Sequence, residues 1–172
     1  MQAGKVAFTH NMRCHAAVIA TAAWLYSATL LAATCALTAP TMNFGSYDPL
    51  STTPTESITN IQITCTRTGT TGAENVAYAL SLSSGTGTFA SRTMLNGSVP
   101  LNYNLFTSSN RDSSTIWGNG TGGSILIVGS LQQLDANFPT RTVSHPLYGR
   151  VPARQDIPIG SYSASVILTM TF

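Results

Sequence analysis

Apolar and polar residues alternate along most of the chain after residue 55. The last eleven residues are the longest example: apolar residues occupy every even position from 162 to 172, and Ser or Thr fills most odd positions. Side chains two residues apart share one face of a strand, so this period predicts strands with one buried face. Three shorter stretches repeat it: Ile61–Ile63–Cys65, Val76–Tyr78–Leu80–Leu82 and Leu101–Tyr103–Leu105.

Clusters of Gly, Ser, Asn and Thr separate these stretches, as in SSGTGT (83–88) and GNGTGG (118–123). Several short strands divided by such turns are typical of a β-sandwich or β-barrel. No helical period, repeat or second domain is visible after residue 34. The sequence from Ser124 to Val128 is apolar at successive positions, which predicts a strand covered on both faces. We therefore expect one all-β domain over residues 34–172.

The first 33 residues of the chain look like an export signal. Residues 16–33 carry no charge, follow Lys5 and Arg13, and end in small residues, which is the layout of a secretory leader. We expect a leader over residues 1–33, with Met12 as an alternative start. Cleavage after Ala22 is a competing option, which would free AWLYSATLLAAT. A membrane anchor is less favoured because Ala, Thr and Ser dilute the segment.

Removal of this leader leaves a domain that is close to neutral. Of the eight Lys and Arg residues, Lys5 and Arg13 leave with it, so six arginines face six acids. No basic stripe remains that could bind nucleic acid or anionic lipid. A surface made of Ser, Thr, Asn and Gly suits an exported protein that associates with others of its kind.

Two cysteines remain after Cys14 leaves with the leader. An even pair in an exported protein predicts a disulfide, here Cys35–Cys65. A metal site would need more ligands than these cysteines and His145, the single histidine of the mature region. We expect neither a metal nor another cofactor.

Candidate catalytic groups are scarce. His145 precedes a proline and is expected to be a surface or turn residue, since no GxSxG motif supplies an activated serine. The acids are scattered singly, and GNGTGG lacks the Lys of a phosphate-binding loop. We expect that the protein is not an enzyme and has no catalytic residues.

Aromatic and basic residues near the C-terminal half have two interpretations. Trp117 and Tyr148 could stack on a glycan, but packing within the fold is the favoured interpretation. Arg150 and Arg154 are expected to be structural, with Asp156 as a candidate ion-pair partner.

Several segments, in order, resemble the spore coat protein U domain family, which includes subunits of archaic, Csu-type chaperone–usher pili. The resemblance covers nearly the whole mature chain. Its segments are NFGSYDPLS (43–51), IQITC (61–65), YALSLSSGTGTFASRTM (78–94), LNYNLFTSSN (101–110), IWGNGTGG (116–123) and LYGRVPARQDIPIGSYSASVILTMTF (147–172).

This resemblance implies an incomplete immunoglobulin-like β-sandwich that lacks its last strand and is completed by a donor strand. It implies a secreted structural subunit of a fimbria, pilus or coat, whose partners are a periplasmic chaperone, an outer-membrane usher and neighbouring subunits. Strand donation works because an open sheet edge supplies hydrogen bonds and alternate side chains fill pockets. The residues expected to line that groove are Tyr162, Val166, Leu168, Met170 and Phe172.

The N-terminus departs from the family pattern. If cleavage follows Ala33, only Thr34 precedes Cys35, so the subunit could accept a donor strand but not give one. That favours a position at the tip of a fibre. The alternative is a non-polymerising surface adhesin or binding module. In each case the protein passes through the periplasm and ends on the cell surface or outside it, and no part spans a membrane after the leader is removed.

Overall fold

The structure is a computed structural model that describes residues 5–13, 33–69 and 72–172. Much of the predicted leader lies outside these residues, so neither the leader nor its cleavage site is tested. The described part forms ten strands and a single 3₁₀ turn (Ser113–Thr115). The strands are β1 (Lys5–Arg13), β2 (Ala33–Thr38), β3 (Met42–Asn43), β4 (Thr55–Arg67), β5 (Glu74–Leu82), β6 (Arg92–Asn96), β7 (Val99–Phe106), β8 (Ile127–Leu134), β9 (Thr140–Val151) and β10 (Ser163–Thr171).

These strands form a curled sheet with two halves that enclose one apolar core. The first half, called sheet B, has the order β2–β4–β9–β7, and every pair in it is antiparallel. The second half, called sheet A, has the order β8–β5–β10–β1–β3. The β6–β7 hairpin joins the halves, because β7 pairs with β9 and β6 touches β10. This confirms the expected all-β, immunoglobulin-like fold.

Alternation determines which side chains reach the core. In β4, Ile61, Ile63 and Cys65 are buried, and Gln62 between them is exposed. The same period buries every second residue of β5, from Val76 to Leu82. A shift of the pairing by one residue would turn every buried side chain of a strand outward, so this pattern determines the pairing register of each strand.

The β6–β7 hairpin shows how turn chemistry supports this arrangement. Asn96 pairs with Val99, which leaves a two-residue loop that begins with Gly97 at φ +60°. A positive φ at that position is required by the tight turns whose twist matches the flanking strands.

The strand near Ser124 differs from the sequence prediction. β8 begins at Ile127 and pairs only with β5, so it lies at an edge of sheet A. Val128 is 72% exposed, and Ile125 and Leu126 are also exposed. The expectation of a strand covered on both faces was wrong, because an apolar run alone does not distinguish a central strand from an edge strand.

Candidate functional site

The last strand, β10, has one face in the core. Ala164, Val166, Leu168 and Met170 are buried, whereas Ser163, Ser165 and Thr171 point outward and are exposed. Tyr162, just before the strand, is also buried and donates a hydrogen bond from its hydroxyl to the Pro158 carbonyl. The strand therefore supplies a continuous apolar row to the core.

The two backbone edges of β10 have different partners. One edge pairs with β5 from Leu168 to Thr171 and touches β6 at Ser163. The other edge pairs with β1, which runs parallel to β10 from Lys5 opposite Ser163 to Arg13 opposite Thr171. The second edge is thus occupied by a strand that comes from the extreme N-terminal part of the chain.

β1 lies in a groove between β10 and β3. Its Lys5 amide donates to the Tyr162 carbonyl at 3.0 Å, and Val6 pairs with Met42 of β3 on its far side. The Val6 side chain is fully buried, and Phe8 packs against the core from a half-buried position. Alternate side chains of the inserted strand therefore enter the core, as they do in strand addition.

This geometry brings together the residues that the sequence singled out for a strand-binding groove. Val166, Leu168 and Met170 lie on the buried face of β10, with Tyr162 at one end. Phe172 follows the strand at the other end and is half-buried against the core. Their role towards a partner protein stays a prediction, which the next subsection develops.

The predicted disulfide is confirmed. Cys35 of β2 and Cys65 of β4 are bonded and lie directly opposite each other in the antiparallel pair. The bond ties the edge strand β2 to the centre of sheet B. It closes a segment of 30 residues that includes β3, which borders the groove.

A buried arginine is a feature that the sequence reasoning missed. Arg92 of β6 is fully buried and donates hydrogen bonds to Asn104 Oδ1 and the Trp117 carbonyl, each at 2.6 Å, and to the Ser83 carbonyl at 3.1 Å. Burial lowers the pKa of Arg92 to about 10, so the side chain is charged at neutral pH. The same environment raises the pKa of the neighbouring Tyr103 to about 12, chiefly through burial.

His145 differs from the expected surface or turn residue. It lies within β9, half-buried, and its Nε2 is 2.7 Å from the Tyr78 hydroxyl of β5. This hydrogen bond joins the two sheets. Burial lowers the pKa of His145 and raises that of Tyr78. The contact with Tyr78 gives His145 a structural role between β9 and β5.

The remaining candidates also have structural positions. Trp117 is fully buried and donates from its indole to the Leu80 carbonyl, which confirms the packing interpretation. Arg150 pairs with Glu56 across β9 and β4 at 2.8 Å, not with Asp156 as proposed. In residues 33–69 and 72–172, Arg154 and Asp156 form no ion pair.

The described residues contain no group of three His, Cys, Asp or Glu side chains that could hold a metal ion. Among those same residues, no helix has the length and apolar character needed to cross a membrane.

The fold and groove define an immunoglobulin-like sandwich in which β1, from the N-terminal part of the chain, pairs along one edge of the last strand, β10. The sequence model of the Spore Coat Protein U domain matches residues 20–169. The chain belongs to this family, which is a family of structural pilus subunits and not of enzymes.

A solved structure supports the fold assignment. It is the CsuC–CsuE chaperone–tip adhesion subunit pre-assembly complex from the archaic chaperone–usher Csu pili of Acinetobacter baumannii. One of its chains matches with a TM-score of 0.50 and 22% sequence identity. The match covers 82% of this chain but 40% of that one, so this protein spans less than half of its length. The comparison with curated proteins finds no match.

Proposed function

We propose that this protein is an exported structural subunit of a bacterial chaperone–usher fibre or coat, and that its groove beside β10 accepts a strand from another protein. The observation that carries the proposal is the position of β1. This strand precedes the expected domain of residues 34–172 in the sequence. It fills the groove and pairs with β10 at all nine of its positions, and its Val6 side chain is buried. This arrangement supports a groove that accepts an inserted strand.

The proposed leader explains why another protein must provide that strand. Residues 5–13 precede the apolar segment at 16–33 and would be removed with it. Removal leaves the edge of β10 unpaired and uncovers the core beside Val166 and Leu168. An exposed apolar strand edge is an aggregation hazard. A periplasmic chaperone covers it during export, and an outer-membrane usher and a neighbouring subunit act afterwards.

The position of β2 supports a place at the end of a fibre. β2 begins at Ala33 and pairs with β4 from its first residue, so residues from Thr34 onward belong to the subunit's own sheet. With cleavage after Ala33, no segment remains that could fill a neighbour's groove. The subunit then accepts a strand without giving one. Cleavage after Ala22 would free a segment that could donate, and the intact mass of the mature protein distinguishes the two.

The function of this subunit is assembly and surface attachment, not catalysis. The charged and polar side chains weighed for chemistry, His145, Arg150 and Trp117 among them, are engaged in structural contacts. Of the five groove residues named above, only Tyr162 carries an ionisable group, and its hydroxyl already donates to the Pro158 carbonyl.

Chaperone capture tests the proposal. The leader-bearing chain is produced in the periplasm of its host with and without the chaperone, and the captured chain is measured by co-purification. Leu168→Asp places a charge in the core beside the groove, which costs several kcal/mol without a partner. Thr171→Asp is the matched control, because this side chain on the same strand is exposed.

We expect capture of the unchanged chain and of Thr171→Asp, and loss of capture for Leu168→Asp. The unchanged chain should aggregate or be degraded without the chaperone. A mature chain that accumulates as a stable monomer in its absence would refute the proposal. So would equal capture of the two variants.

A further inference from the structure

A surface cleft lies on the outer face of sheet B, away from the groove beside β10. It is open, has a volume of about 280 Å³, and is lined by β7, the end of β9 and the 107–116 loop. Small-molecule sites occupy roughly 300–1,000 Å³, so the cleft suits a ligand about one ring in size. Its apolar floor is formed by Phe106 and Ile116, which are both buried and bridge each other.

One wall of the cleft has an excess of positive charge. Arg111 and Arg150 both line it, and the Glu56 carboxylate lies between them. Glu56 Oε2 is 3.0 Å from Arg111 Nη1, and its Oε1 is 2.8 Å from Arg150 Nη2. Asp112 directly follows Arg111 in the sequence, and its carboxylate accepts hydrogen bonds from the Ser114 amide and hydroxyl. Among the residues that line the cleft, two carry a guanidinium group and none carries a carboxylate, so the lining itself is positively charged.

Arg111 is held in place at a cost in backbone strain. Its φ is +51°, a left-handed conformation that non-glycine residues seldom adopt. Its guanidinium lies 5.2 Å from the centre of the Tyr148 ring, and its side chain is only 13% exposed. Its Nε is buried and, within the described part of the chain, has no hydrogen-bond partner. Strained backbone conformations of this kind concentrate at active sites and ligand-binding positions.

The opposite wall also offers a donor. Asn102 Oδ1 accepts a weak hydrogen bond from the Ser91 hydroxyl at 3.4 Å. The side-chain amide nitrogen of Asn102 donates no hydrogen bond within the part of the chain described, whereas its backbone nitrogen donates to Gln155 Oε1 at 2.7 Å. Asn104 differs, because its amide nitrogen already donates to the Phe89 and Ala90 carbonyls. The cleft therefore presents donors on two walls above an apolar floor.

We propose that this cleft binds an organic carboxylate with a body about one ring in size, such as a free ring acid or a uronic acid unit of a polysaccharide. A carboxylate accepts charge-assisted hydrogen bonds from a guanidinium group, and its ring would cover Phe106 and Ile116. The inference does not rest on strand addition, because the cleft belongs to β7 and β9 and the groove to β10. Either proposal can fail without the other.

Ligand titration of the purified full chain, followed by NMR at low salt, tests the inference with glucuronate and with glucose as its neutral match. We expect saturable shifts for glucuronate and none for glucose at the same concentration. Benzoate distinguishes the two proposed sources of the carboxylate, a free ring acid and a uronic acid unit. If benzoate binds as tightly as glucuronate, the cleft recognises any ring carboxylate. If benzoate binds more weakly, the cleft also contacts the sugar hydroxyls. No saturable binding of glucuronate or benzoate would overturn the proposal.

A matched pair of variants localises the binding. Arg111→Asn should weaken it about tenfold or more, since it removes a charged donor, and Asn tolerates a positive φ. Arg154→Asn is the control, because Arg154 also has a positive φ of 58° but lies outside the cleft. Asn102→Ala should weaken binding without touching the 107–116 loop. Glu56→Gln should tighten it, because it removes the negative charge that competes with the ligand for both guanidinium groups. Unchanged affinity in Arg111→Asn and Asn102→Ala would refute the site.

Discussion

Replacement of Arg92 by Met tests whether one buried cation organises the loops around the core. Arg92 is fully buried, and its guanidinium meets three acceptors on three separate segments: Ser83, Asn104 and Trp117. No acid forms a salt bridge with it in the described residues. Neutral oxygens, together with the Phe89 ring, whose centre is 5.3 Å from the guanidinium carbon, therefore compensate for its desolvation, and the two carbonyls have Arg92 as a donor.

The magnitude follows from the groups that the substitution leaves without a donor. The Ser83 and Trp117 carbonyls lose the donor that Arg92 provides, whereas Asn104 Oδ1 still accepts from the Leu105 amide at 2.9 Å. Each buried unpaired acceptor costs about 1–3 kcal/mol, so the two together cost roughly 2–6 kcal/mol. Removal of a desolvated charge offsets part of this. We expect a net loss of about 2–5 kcal/mol, a large share of the 5–15 kcal/mol that is typical of a domain.

Urea unfolding of the oxidised full chain measures this loss. Arg154→Met is the control and should shift the free energy of unfolding by about 0.5 kcal/mol or less, because Arg154 is exposed. Arg92→Lys should be intermediate, since one ammonium group cannot match the planar fork of donors. A free energy of unfolding for Arg92→Met within 0.5 kcal/mol of the unchanged chain would show that the network is not a source of stability.

Two further predictions concern the links between strands. Replacement of both Cys35 and Cys65 by Ala should cost about 2–5 kcal/mol in urea unfolding, and an unchanged midpoint would contradict it. Acidification should destabilise the protein below pH ~6.5, because the lowered pKa of His145 means that the unfolded chain binds this proton first. His145→Gln keeps an acceptor for Tyr78 and should flatten the dependence of stability on pH between 7 and 5; an identical slope in both proteins would count against this origin.

Local sequence determined much of the fold and of the groove. The buried face of β10 could be predicted because a strand with a two-residue period has only two faces, and Ser and Thr occupy the outward one. The Cys35–Cys65 bond could be predicted because the expected leader removes the third cysteine. These inferences need no knowledge of which strands are neighbours.

Contacts between distant segments could not be predicted in the same way. Glu56 contacts Arg150 because β4 and β9 pair in one particular register, and the two residues are 94 positions apart in sequence, so local patterns do not predict the contact. Tyr78 meets His145 only because β5 and β9 belong to facing sheets. Arg92 sits between Ser and Thr, where a single charge in a polar stretch ordinarily indicates a surface residue. Burial of this kind depends on the loops that fold over it.

For the proposed strand-accepting groove, the energetics of β1 favour a folded chaperone over a free peptide as its occupant. Nine paired backbone positions and buried Val6 contribute on the order of 5–15 kcal/mol, from the net value of each hydrogen bond and of apolar burial. Fixing the backbone of a flexible nine-residue segment costs about 1–2 kcal/mol per residue, which nearly cancels that gain. A strand that is already ordered in another protein's sheet does not lose this conformational entropy on binding. Preorganisation of the donor, more than its sequence, therefore decides how strongly this groove is filled.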